Sequence, residues 1–326
     1  MRAIVCENWG APDTLKLGEL PTPKMGPGQV RIRMRAAGVN FADTVLVRGT
    51  YQEKPELPFA PGLEGAGEVL EVADGVTNVA PGDSVMAFTS AGGFAEEAVC
   101  DAGSVFAMPK GIGFATAAAF PVAYGTSHLA LVQRAKLQPG ETVLVLGAGG
   151  GVGLTAIECA KALGATVIAA ASTAEKLALA AARGADHLIN YVEDDLRDAL
   201  RTLTDGNGVD VVYDPVGGDL AQAAMRSMAW CGRFLVIGFA SGDVPQFPGN
   251  YLLVKNISIV GVYWGAYRTR EPQTVRDSFA ELARWWEEGK LKPHVSRVFP
   301  LAEAPTALAM LENRQSTGCL VIDIDG

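Results

Sequence analysis

The sequence predicts an α/β protein: an N-terminal, partly open β-barrel that the C-terminal tail completes, with a doubly wound parallel sheet inserted between them. Three observations carry this reading. From Glu141 onward strand-like and helix-like runs alternate, the pattern of a parallel sheet covered by helices on both faces. Residues 1–121 instead hold short β-branched or alternating runs broken by Pro-Gly pairs. At 326 residues the chain is too long for one ordinary core, so two domains are expected.

In the N-terminal part the strand-like runs are 2–6, 30–36, 67–72, 84–88 and 96–100, separated by Pro27-Gly28, Pro61-Gly62 and Pro81-Gly82. A sheet of such strands must protect its edges, which favours a partly open barrel. Residues 115–136 turn helical around Pro121 and mark a junction. The expected domains are therefore 1–121, a β-rich domain, 122–264, the inserted sheet, and 265–326, the return to the first domain.

The inserted part predicts strands at 142–146, 166–170, 187–189, 209–213, 233–237 and 257–262. Its first strand breaks into Ala148-Gly149-Gly150-Gly151-Val152-Gly153 and opens a helix over 154–163 that Gly164 closes. Relative to the strict G-x-G-x-x-G fingerprint, Ala148 stands in place of the first glycine. Strand, glycine turn, helix and second strand in succession imply a dinucleotide, its pyrophosphate bound by the backbone of Ala148, Gly150, Gly151, Val152 and Gly153 at the helix start. An NAD site usually ends its second strand on Asp or Glu; here Ala171-Ser172-Thr173-Ala174-Glu175-Lys176 follows, with no carboxylate at the strand end. Ser172 and Lys176 suit a 2′-phosphate, so the sequence predicts NADPH over NADH. Lys176 as a solvated helix residue is the alternative.

After Gly265 the chain predicts a helix at 271–288, a strand at 295–299, a helix at 302–312 and a last strand at 319–324. A net charge of −9 gives no support to binding nucleic acid or a membrane surface. No apolar run is long enough to cross a bilayer, and the N-terminus reads directly into a strand, so a cytoplasmic protein is expected. Five scattered cysteines without a C-x-x-C pair read as free thiols.

Four segments together resemble the zinc-independent quinone oxidoreductase branch of the medium-chain dehydrogenase/reductase superfamily. They are Gly38-Val39-Asn40-Phe41-Ala42-Asp43 through Arg48-Gly49-Thr50-Tyr51, Pro61-Gly62-Leu63-Glu64-Gly65-Ala66-Gly67, the glycine turn, and Asp214-Pro215-Val216-Gly217-Gly218. The resemblance spans essentially the whole chain and implies a GroES-like catalytic domain with an inserted Rossmann domain. Zinc enzymes of the superfamily carry Cys where Asn40 stands and His-Glu where Leu63-Glu64 stands. Neither a three-ligand catalytic set nor a four-ligand structural set is present in the sequence, so no zinc is expected. His128, His187 and His294 are isolated and read as structural or exposed.

Without a Lewis acid the chemistry that fits is hydride transfer from NADPH to a conjugated carbonyl, which needs only donors for the oxygen and a proton afterwards. The resemblance places Asn40 and Asp43 beside the nicotinamide and matches Tyr51 to the proton donor of enoyl-thioester reductases. A hydrogen-bonding structural role for Asn40 and a plain loop aromatic at Tyr51 are the alternatives. It also implies cofactor contacts for Thr126, Tyr191, Gly238, Phe239, Ser241 and Arg314. A core aromatic is as good a reading of Phe239, and Cys319 stands where the family often has a lysine. The small-molecule substrate is then a quinone or enone. The rival readings are an enoyl-thioester reductase and an NADPH-binding scaffold or redox sensor with little turnover. The sixth strand would form the sheet edge through which family dimers pair, so a homodimer is expected.

Overall fold

The computed structural model describes residues 1–326. The chain enters through a hairpin of β1 (Arg2–Val5) and β2 (Lys16–Glu19) and then forms β3 (Gln29–Val39). In β3, Val30, Ile32, Met34 and Ala36 are buried while Arg31, Arg33 and Arg35 between them are not, the period of two of a strand with one face on a core. From Ala36 to Val39 every residue is buried, so there both faces are covered. Next come α1 (Phe41–Val47), β4 (Glu64–Val72), β5 (Ser84–Phe88), β6 (Glu97–Asp101), β7 (Val105–Ala107) and α2 (Phe114–Ala118). The helical run expected over 115–136 is two helices, because α3 (Pro121–Leu129) begins on Pro121. A proline is well placed at a helix start, where its missing N–H costs nothing. The run ends in a wide turn in which Ala135 N–H bonds Ala130 O at 2.8 Å.

The inserted unit follows as β8 (Thr142–Leu146), α4 (Gly151–Ala162), β9 (Thr166–Ala171), α5 (Ala174–Ala182), β10 (His187–Asn190), α6 (Leu196–Leu203) and β11 (Val209–Asp214). It continues through α7 (Gly218–Arg226), β12 (Met228–Val236), α8 (Gly249–Lys255), β13 (Ser258–Gly261), α9 (Trp264–Arg270) and α10 (Pro272–Glu287). The six strands are all parallel in the order β10-β9-β8-β11-β12-β13. Val143 to Leu146 are fully buried, as a strand covered on both faces requires. The strand order reverses between β8 and β11, the position where such sheets open a crevice at their carboxyl ends.

The chain then forms β14 (Val295–Pro300), α11 (Ala304–Glu312) and β15 (Cys319–Asp323). These strands join the first sheet, whose order is β14-β15-β3-β4-β5-β7. One edge of β3 pairs β4; the other is shared, its first half with β6 and its second half, Ala36 to Val39, with β15. The ladder ends at β14 and β7, so hydrogen bonding leaves the sheet open.

Two compact units result, Met1–Val122 with Pro293–Gly326, and Ala123–Lys292. The return therefore starts at Pro293, not at residue 265. The reason is α10: its apolar stripe of Val275, Phe279, Leu282 and Trp285 is buried, and Trp285 packs on His128 within the second unit. No helix is long and apolar enough to cross a membrane.

Candidate active site

In the first unit the site is built where β3 ends and α1 begins. Asn40 is the N-cap, with extended backbone, and Asp43 returns the bond by accepting Asn40 N–H at 2.8 Å. The other Asp43 oxygen accepts Leu63 N–H at 3.0 Å, which ties α1 to the turn before β4. Asp43, expected beside the nicotinamide, is fully buried, and both its oxygens accept backbone N–H groups inside the fold. Burial pushes its carboxyl up to about 7, against the pull of the Asn40, Leu63 and Gly62 N–H groups.

Asn40 itself is half-buried, and its Nδ2 donates to Glu64 Oε1 at 2.7 Å. The second Glu64 oxygen accepts Val122 N–H at 2.7 Å at the start of α3. Burial raises the Glu64 carboxyl to about 8, the Val122 and Asn40 donors lower it, and the Asp43 carboxyl adds to the rise. Gly38 lies opposite Glu64 in the ladder, and a Cβ there would press on the Glu64 carboxyl and sit 2.6 Å from Ala118 O. The space beside Glu64 is kept by that missing side chain. Sequence reasoning had treated Glu64 only as half of an absent metal pair.

Tyr51 lies beyond α1, past a left-handed turn at Gly49, half-buried between exposed Thr50 and Gln52. Arg314 also belongs to the first unit, exposed on the turn after α11 with φ +56.

In the second unit the expected cofactor residues gather at the carboxyl ends of the strands. Gly147, φ +59, takes the left-handed position after β8, one residue before Ala148. The glycine missing from position 148 is thus supplied by its neighbour. Buried Ala148 donates to Ala170 O at 3.1 Å and pins the turn to β9. Gly150 caps α4, so Gly151, Val152 and Gly153 form its first turn, three residues ahead of the expected start. A Cβ on Gly153 would lie 2.9 Å from the Ala148 Cα, which is why the helix can pack on the turn.

Ser172 follows the end of β9, and Thr173 Oγ1 caps α5 by accepting Lys176 N–H at 3.3 Å. Tyr191 follows β10, its N–H bonded to Ala171 O at 3.2 Å, so Ser172, Lys176 and Tyr191 share one end of the sheet. Thr126 is half-buried on α3.

Asp214, at the end of β11, was not singled out as a site residue. Its Oδ1 accepts Val216 N–H at 2.8 Å and Gly217 N–H at 2.9 Å, and burial raises its carboxyl against those two donors. Pro215 and Val216 carbonyls accept Ala240 and Ser241 N–H at 3.0 and 2.8 Å. The loop carrying Gly238, Phe239 and Ser241 is thereby held on the Asp214 elbow, with Phe239 37% exposed and not a core aromatic.

His128 is a satisfied buried histidine: Nδ1 meets Ser278 Oγ at 2.8 Å, Nε2 meets Glu281 Oε2 at 3.0 Å, and burial lowers its pKa. No group of three or more His, Cys, Asp and Glu side chains is placed to hold a metal ion.

Residues 26–123 match the model of the alcohol dehydrogenase GroES-like domain, and residues 151–284 that of the zinc-binding dehydrogenase. Around Glu64 the side chains on offer for a metal are poor: Asn40 is an amide, Leu63 an alkyl group, and both Glu64 oxygens are taken up by N–H donors. The chain is 42% identical over 99% of its length to a quinone oxidoreductase-like protein 2 homolog of Nematostella vectensis, covering 88% of that protein. The Escherichia coli quinone oxidoreductase, solved in complex with NADPH, superposes with a TM-score of 0.91 at 30% identity over 99% of this chain and 100% of that one. The Thermus thermophilus quinone oxidoreductase, also solved with NADPH, gives 0.85 at 34% identity, covering 99% and 100%. An open GroES-like sheet, a six-stranded Rossmann sheet and these matches agree: the chain belongs to the quinone oxidoreductase branch of the medium-chain dehydrogenase/reductase superfamily.

Proposed function

We propose that the protein is an NADPH-dependent reductase that delivers hydride to quinones or other conjugated carbonyls without a zinc ion. The observation that carries the reading is the Asn40 amide, held by the Glu64 carboxyl as acceptor, which keeps a second N–H to offer an oxygen while both Glu64 oxygens are taken by N–H donors. When bound, the nicotinamide supplies the hydride; the chain's residues bind, orient and stabilise charge.

Gly151, Val152 and Gly153, in the first turn of α4, present backbone N–H groups and the positive end of the helix to the pyrophosphate, while Gly150 caps the helix with its own N–H bonded to Gly147 O at 3.0 Å. Ser172, Lys176 and Tyr191 take the 2′-phosphate, and no carboxylate at the end of β9 opposes it. The Gly238–Phe239–Ser241 loop, Thr126 and Arg314 complete the cofactor contacts. Asn40 has two N–H donors on its amide; Glu64 takes one, which orients the other toward the oxygen that gains charge as the acceptor is reduced. Asp43 is the positioning residue that fixes the Asn40 backbone.

A second reading, an enoyl-thioester reductase, is favoured by Tyr51, half-buried on a polar loop and able to protonate a carbon. Binding with little turnover is the third. We also propose a homodimer through β13, which ends the sheet with no strand on its outer side.

The test is NADPH oxidation by the purified protein with a quinone, a short enone and a short enoyl-CoA, and with NADH as control. Fastest turnover of the quinone with NADPH supports the leading reading. Fastest turnover of the enoyl-CoA replaces it with the second, and tight binding without turnover replaces both.

A further inference from the structure

The middle of the glycine turn carries an unexplained glycine. Gly147 is required by its left-handed backbone and Gly153 by the packing of α4, but Gly149 has neither reason. What fills the space beside it is a side chain from the next helix. A Cβ on Gly149 would lie 2.5 Å from Lys176 Cβ, 2.6 Å from its Cγ and 3.1 Å from its Cδ. The first two atoms are the root of the lysine, so a rotamer change at its far end does not relieve the clash. Nor can the helix easily retreat, since Thr173 caps it through Lys176 N–H and its Leu177 and Ala180 are buried.

The Lys176 stem is therefore seated on the pyrophosphate turn, half-buried, because position 149 has no side chain. A seated stem restricts where its ammonium can go. A flexible lysine loses rotamer freedom when it grips an anion, and a stem already packed on the turn has less to lose.

We propose that Gly149 is a specificity-determining residue: by admitting the Lys176 stem onto the turn, it sets the preference for a 2′-phosphorylated dinucleotide over its unphosphorylated counterpart. The inference rests on the NADPH reading above. It treats Gly149 as selective between the two cofactors, whereas a glycine needed only for close approach of the pyrophosphate would serve both equally.

The experiment is fluorescence titration of NADPH and NADH, and competition by 2′,5′-ADP and 5′-AMP, on wild type, Gly149→Ala, Lys176→Ala and the double variant. Expected is a wild-type preference of about tenfold or more for the 2′-phosphorylated member of each pair, the scale of one charge-assisted contact. Gly149→Ala should lose most of that ratio with NADH affinity nearly unchanged, and the double variant should lose no more than Lys176→Ala alone. A ratio that survives in Gly149→Ala, or equal loss for both cofactors, overturns the proposal. A wild type with no preference overturns the NADPH reading itself, and the two failures are thus separate. If Gly149→Ala is too unstable to titrate, thermal melting of Gly149→Ala/Lys176→Gly decides: removing the lysine root restores the melting temperature, and no recovery overturns the assignment.

Discussion

Asn40 Nδ2 and Glu64 Oε1 stand 2.7 Å apart, and this bond joins the end of β3 to the start of β4. The same carboxyl anchors the first turn of α3 through Val122. Each carboxyl oxygen keeps a lone pair whether or not the group holds its proton, whereas the nitrogen of a glutamine amide can only donate, so Glu64→Gln cannot serve both partners. We expect kcat with a quinone to fall by about tenfold while NADPH affinity holds, and stability to drop by about 1–3 kcal/mol for the donor left without an acceptor. Steady-state kinetics and chemical denaturation of the purified variant check this.

Asp43 and Glu64 also govern how stability responds to pH. Burial lifts them to about 7 and about 8 from ordinary values of 3.8 and 4.5. The folded chain then keeps protons that the unfolded chain has already released, so their contribution is full below the ordinary values and is lost as pH rises through the raised ones. Melting temperature should decline between about pH 4 and about pH 8, and less steeply in Glu64→Gln, which lacks one of the groups. Parallel curves for the two proteins would show that Glu64 titrates as an ordinary carboxyl.

The Tyr51 hydroxyl separates the two enzyme readings. Replacement by phenylalanine removes a proton donor, and general-acid catalysis contributes about 100-fold or more. Tyr51→Phe should therefore leave quinone turnover within about twofold and cut enoyl-CoA turnover by about that larger factor if the enoyl reading holds. Initial rates with both acceptors make the comparison.

Asp214→Ala strips the acceptor from Val216 and Gly217 N–H and loosens the elbow on which the Phe239 loop is held. A stability loss of about 1–3 kcal/mol is expected, with weaker NADPH binding and an unaltered response to the 2′-phosphate. Calorimetric melting and cofactor titration read the two effects separately.

Much of this arrangement was legible in the residues, for physical reasons. The central strands β8 and β9 are buried on both faces, so they read as uninterrupted aliphatic runs, and each expected strand from 142–146 onward is present. The glycine turn was legible because its backbone demands leave glycine few substitutes, although the left-handed position fell to Gly147. Glu64 and Asp214 were not, since a lone carboxylate usually faces water and only the fold turns these two inward. The inward set of the Asp43 oxygens was not legible either, because a motif match says which residue belongs to a segment, not which way its oxygens point. The return point was missed because the stripe of α10 shows in sequence while the surface it packs on does not.

The sharing of β3 between β6 and β15 has a consequence for biosynthesis. On the edge away from β4, Ala36 to Val39 find their partner strand only in residues 320–323, after the whole of the second unit has been made. That second unit is one continuous stretch and has all its strands by residue 261, so it can complete its sheet while the first is still missing an edge. On the ribosome the order of completion therefore inverts the order of the chain: the part synthesised first finishes last, waiting on a loop closure that spans the whole second unit.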